Sequence, residues 1–135
     1  MIFTGCFSLP QTSAVLVRTA GATQTYCYQI DSKEIEKRLN KFLNSCYSRK
    51  NVTVNTPYGT YTNKYDEKRE VQSLENGVRY SISNTAGYVL AVDIFTPNAD
   101  TCKTEVKMYG TSIFWKKNFD NIDEALRDGK IDCPL

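Results

Sequence analysis

No histidine occurs among the 135 residues. The commonest general base near neutral pH and the commonest transition-metal ligand are therefore missing. No stretch approaches the roughly 18 to 20 consecutive apolar residues that cross a bilayer as a helix. There is no glycine-rich phosphate loop, nucleophile elbow or paired-carboxylate motif. Charge of one sign is also scarce: 17 basic and 15 acidic residues leave a net +2, and they interleave in KEIEKR and DEKRE. A concentrated phosphate-binding face is not expected. Together these absences point away from an enzyme, from a metal or other cofactor, and from a nucleic-acid partner. What is present suits one domain: 41% hydrophobic and 24% charged residues are ordinary values for a globular chain with a single core.

The clearest element is a helix in DSKEIEKRLNKFLNSCYSRK. Ile35, Leu39, Phe42, Leu43 and Cys46 fall on one face at helical spacing, and Asp31 with Glu34 has the form of a capping box. Before it, AVLVRT (Ala14 to Thr19) and TQTYCYQI (Thr23 to Ile30) read as strands around Ala20-Gly21-Ala22. After it, NVTVN is a strand ending at the turn Thr56-Pro57-Tyr58-Gly59. The polar run from Thr60 to Leu74 reads as one further strand. Glu75-Asn76-Gly77 between VQSL and VRYSIS is the strongest hairpin signal in the chain. YVLAVDIFT has the nearly continuous apolar character of a central strand, and CKTEVKMYG alternates, with Val106 and Met108 on one side. Trp115, Phe119, Ile122 and Leu126 define a closing helix from about Ser112 to Asp128, with Gly129 as its cap. The expected fold is α+β, in the order β-β-α-β-β-β-β-β-α. An antiparallel meander is covered by two amphipathic helices in two layers. Residues 1–13 serve as a tether and residues 14–135 form one domain.

Tyr58, Tyr61 and Tyr65, close together in PYGTYTNKY, are candidate binding residues, since tyrosine joins a flat apolar body to a polar tip. Tyrosine is equally a favoured strand residue. Asp93, inside an apolar strand, needs a partner if buried and is expected on the open face of the sheet. Asp66, Glu67 and Glu70 alternate with Lys68 and Arg69 and read as a solvated run.

Five cysteines, Cys6, Cys27, Cys46, Cys102 and Cys133, lie at no close metal-ligand spacing. An odd count in an exported chain implies two disulfides and one cysteine with another role. A strand of about 27 Å from Cys102 and a returning helix of about 24 Å bring Cys133 near Cys102. That pairing leaves Cys27 for Cys46, although four cysteines allow three connectivities.

Cys6 remains, in the context Phe3-Thr4-Gly5-Cys6. This stretch resembles the lipobox of bacterial lipoproteins, in which a cysteine is diacylated after signal-peptide cleavage. The resemblance implies lipidation at Cys6 and a signal peptide whose basic and apolar segments lie upstream of Met1. Phe7, where an aspartate would favour inner-membrane retention, implies the outer membrane. The expected function is therefore a non-catalytic, periplasm-facing lipoprotein, touching the membrane only through its lipid and binding a protein partner in envelope assembly or secretion. The alternatives are an inhibitor or immunity protein against a periplasmic toxin or hydrolase, and a small-ligand carrier with a cavity between the sheet and the Trp115 helix. A cytosolic chain with five thiols is the remaining reading.

Overall fold

Turn signals and apolar strands pair as the hairpin chemistry requires, and the class is α+β. The computed structural model describes residues 9–47, 52–63, 67–97 and 101–134, with backbone alone for 52–54 and 61–63. In chain order the elements are α1 (Ser13–Thr19), β1 (Ala22–Tyr28), α2 (Ser32–Cys46), β2 (Val52–Thr56), β3 (Gly59–Asn63), β4 (Lys68–Leu74), β5 (Gly77–Asn84), β6 (Gly87–Phe95), β7 (Thr104–Gly110) and α3 (Lys116–Asp128). A 3-10 turn, Ile113–Trp115, leads into α3. The main sheet is antiparallel, in the order β1-β7-β6-β5-β4, while β2 and β3 form a separate hairpin.

The hairpin forms where the sequence signals it, but its turn is Glu75-Asn76 alone: Gly77 opens β5 opposite Leu74. At the next turn Asn84 Oδ1 accepts from the N–H groups of Ala86 and Gly87, at 2.8 and 3.2 Å. Leu90, Val92 and Ile94 of β6 and Val106 and Met108 of β7 share one sheet face with the buried residues of α2 and α3. Ile35, Leu39, Phe42 and Leu43 supply the α2 side, and Phe119, Ile122 and Leu126 the α3 side. Each such side chain gains about 1.5 to 3 kcal/mol from leaving water. Gly129 ends α3 at φ 74° and donates its N–H to Ala125 O at 2.9 Å.

Three local expectations are corrected. Ala14 to Thr19 is helical, because the Thr12 hydroxyl accepts the Val15 N–H at 3.1 Å and caps the turn. Val15 and Val17 suit a strand intrinsically, but burying Leu16 against β6 and β7 decides otherwise. Ser13 Oγ and Gln72 Oε1, on the face away from α2, lie 3.2 Å apart, so α1 adds partial cover to the second face of the sheet. The polar run from Thr60 to Leu74 holds two strands, β3 and β4, belonging to different sheets. Asp31 precedes α2 but makes no side-chain cap, and Glu34 instead pairs with Arg38 at 3.1 Å.

Both expected disulfide pairings are corrected as well: the bonds are Cys27–Cys102 and Cys46–Cys133. Along β1, Tyr28 and Ala22 turn toward the helices, so alternation points Cys27 to the opposite face, out of reach of α2. Cys102 lies just before β7, beside β1, with the two Cα atoms 5.5 Å apart. The chain after Gly129 does not stop beside the sheet. It runs back along α3, where Asn121 donates to Asp132 O at 2.8 Å, and brings Cys133 to the end of α2, Cα to Cα 5.3 Å.

β1 packs on α3 through two tyrosines. The Tyr28 hydroxyl donates to Asp123 Oδ1 at 2.6 Å, and burial followed by that bond pushes its ionisation upward. Tyr26 is pushed up to about 12 by burial and then by Asp123 and Asp120. Folding thus holds both phenols in the protonated form. Their contribution to stability is complete below the unfolded value near pH 10 and falls as pH rises through the folded values. Urea melts between pH 9 and 12 are expected to lose stability with a slope that Tyr28→Phe flattens. An unchanged slope in that variant would refute the role of the Asp123 contact.

Candidate functional site

Of the three candidate tyrosines, only Tyr58 has its side chain among the described residues. Tyr58 sits at the tip of the β2–β3 hairpin, 92% exposed. Tyr61 lies in β3 opposite Val54, and Tyr65 lies outside the described residues. Cys6 does too.

Asp93 lies on the sheet face away from α2 and α3, as expected, but it is buried there rather than open. Arg79, directly opposite on β5, meets it through Nε and a terminal nitrogen at 2.7 and 2.8 Å. Both carboxylate oxygens are used, so Asp93 is a structural partner and not a free acid. Beside the pair, the Tyr109 phenol is pushed up by burial and by Asp93. Tyr80 likewise donates to Glu36 Oε1 at 2.6 Å, joining β5 to α2.

A cavity of about 240 Å³ opens where the sheet meets the end of α2 and the start of α3. The Tyr47 and Trp115 rings stack along it, with centroids 6.4 Å apart. Asn118 donates to the Tyr47 hydroxyl at 3.2 Å. Ile82, Val89, Glu67, Asn84, Cys46 and Pro134 also line it. Glu67 Oε2 is shielded from water and has no hydrogen-bond partner among the described residues, a cost that a ligand donor would remove. Trp115 can lie there because Gly110 has no side chain; an added Cβ would overlap the indole. Glu67, read above as part of a solvated run, and Tyr47 escape sequence reasoning because α2, β5, β6, the 3-10 turn and α3 assemble this wall with them. No spacing in the chain signals it.

The second open surface is β4. Six of its seven residues are exposed, only β5 pairs with it among the described residues, and Val71 is 63% exposed at its centre. α2 reaches β5 through Tyr80 and leaves β4 uncovered on that face.

Among the described residues, no group of three or more His, Cys, Asp or Glu side chains could hold a metal ion, and no helix is long and apolar enough to cross a membrane. Two disulfides in a chain of this size are characteristic of oxidising compartments. Comparison of the chain with protein-family models, with curated proteins and with solved structures finds no match.

Proposed function

We propose that this chain is a non-catalytic binding domain of the bacterial cell envelope. A lipid on Cys6 holds it at the outer membrane, it faces the periplasm, and it takes a protein partner in envelope assembly or secretion. The observation that carries the binding role is the open β4 edge. A seven-residue strand offers an edge about 23 Å long whose outward backbone donors and acceptors have no strand partner among the described residues, the template used in strand addition. Lys68, Arg69 and Glu70 discourage self-pairing, while Val71 leaves an apolar contact in the middle. Two disulfides fit an exported chain.

A photo-crosslinking residue at Val71 tests this in the full chain in its own envelope, against the same residue at Thr25, exposed on β1 at the opposite edge. One discrete adduct from Val71 and none from Thr25 is expected. Adducts from both positions, or from neither, reject the β4 edge.

The cavity favours a second reading, a small-ligand carrier. Its aromatic wall and the Glu67 oxygen that has no partner among the described residues suit an amine attached to a flat apolar group. Trp115 is the sole tryptophan, so its emission reports occupancy directly. Phenethylamine is expected to shift that emission saturably, at least tenfold more weakly in Glu67→Gln. A non-saturable response, or one indifferent to Glu67→Gln, rejects the carrier.

A further inference from the structure

Ile113 and Phe114 are consecutive, 63% and 85% exposed, and form the corner between β7 and α3. Neither is buried in the core. The corner continues into the exposed Lys116 and Lys117, and its remaining aromatic, Trp115, is half-buried behind them. An apolar pair beside two lysines is the composition of a segment that lies at the boundary of an anionic bilayer.

The position of this corner gives the pattern a direction. β6 begins and β7 ends at the same end of the sheet, since Leu90 pairs with Gly110 and Thr111 donates to Val89 O at 3.3 Å. The first described residues enter at that end: Tyr88 donates to Pro10 O at 2.8 Å, and Gln11 donates to Ala86 O at 3.0 Å. Leu9, Pro10 and Thr111 line one open hollow there. Cys6 lies three residue steps before Leu9, a reach of at most about 11 Å. A lipid on Cys6 would therefore draw this end of the domain to the membrane. Arg18, at the end of α1, and Lys68, at the start of β4, are exposed at the same end. Of the carboxylates close to Lys68 in the chain, Glu67 has one oxygen shielded and Glu70 is engaged by Tyr88 at 2.7 Å.

We propose that this end of the domain rests on an anionic phospholipid surface, with Ile113 and Phe114 entering at headgroup level and Lys116 and Lys117 against the phosphates. The orientation rests on the tether proposed above, whereas the surface itself does not require the lipid. The lipid, diacylated in the family that the motif resembles, would supply the anchoring, and the corner sets how the domain lies on the surface.

The test uses the oxidised full chain carrying Cys6→Ser, with vesicles of phosphatidylglycerol and phosphatidylcholine in equal parts and with vesicles of phosphatidylcholine alone. Sedimentation with the anionic vesicles, accompanied by a shift in Trp115 emission, is expected. Phe114→Ser should weaken partitioning by about tenfold or more, and Phe114→Leu should retain most of it. Lys116→Gln and Lys117→Gln should each weaken it by about fivefold. Near-UV circular dichroism confirms that each variant is folded. No sedimentation of the folded Cys6→Ser chain, equal binding to both compositions, or undiminished binding by Phe114→Ser overturns the proposal. The mass of the chain with its native Cys6, extracted from cells, reads the tether alone, so failure of either idea is told from failure of the other.

Discussion

Replacing Arg79 by methionine is expected to destabilise the protein by about 3 to 5 kcal/mol, the usual cost of leaving one member of a buried ion pair alone. Asp93 is 2% exposed and accepts two short bonds from Arg79, whose side chain is itself only 11% exposed. Without the guanidinium, both carboxylate oxygens lose their donors where water cannot substitute. Lys107, opposite Asp93 on β7, instead lies 3.9 Å from Glu105 and 5.9 Å from the Phe95 ring centre. The double variant Arg79→Met with Asp93→Leu should recover most of the loss, because exchanging a whole buried pair for apolar groups is often neutral. Urea unfolding of the two single variants and the double gives the coupling energy directly. A loss below about 1 kcal/mol in Arg79→Met would show that the pair is solvated.

Removing the Cys46–Cys133 bond by a double alanine substitution is expected to cost about 3 to 4 kcal/mol. The bond closes 87 residues of chain, and loop-closure entropy for such a length has an upper value near 4.6 kcal/mol in the chain-entropy model. The Cys27–Cys102 bond closes 75 residues and overlaps the first loop, so the two losses should not add. The first bond has a local consequence too. It holds the returning tail against the cavity wall, so its loss should alter Trp115 emission at urea concentrations well below global unfolding. Proteolysis under non-reducing conditions, followed by mass spectrometry, should recover Cys27 linked to Cys102 and Cys46 linked to Cys133. Recovery of Cys102 linked to Cys133 would refute this topology.

Much of the α+β class is legible in the amino-acid order because it rests on local periodicity. The apolar spacing of α2 and α3, the Glu75-Asn76-Gly77 hairpin and the Gly129 cap each need only neighbours within a few residues. Failures begin where local preference and tertiary context disagree. Residues 14–19 are β-branched enough to suggest a strand, yet a Thr12 cap and one buried leucine make them a helix. The run after Thr60 looks uniform, yet it divides between two sheets.

By itself, the sequence determines that this is a histidine-free domain with two amphipathic helices on an antiparallel sheet, an even set of four cysteines besides Cys6, and no motif for chemistry. Those properties follow from composition and from short-range repeats, which survive in any arrangement of the elements. Tertiary structure alone decides which cysteines meet, that Asp93 is clasped by Arg79, that Glu67 joins Tyr47 and Trp115, and that β4 is left open. Each of these joins residues from separate elements, set by strand register and by the path of the tail after Gly129. The same holds for FTGCFSLP and the Ile113–Lys117 corner: the motif is local, but only the pairing of β6 with β7 puts the corner at the end where the chain enters.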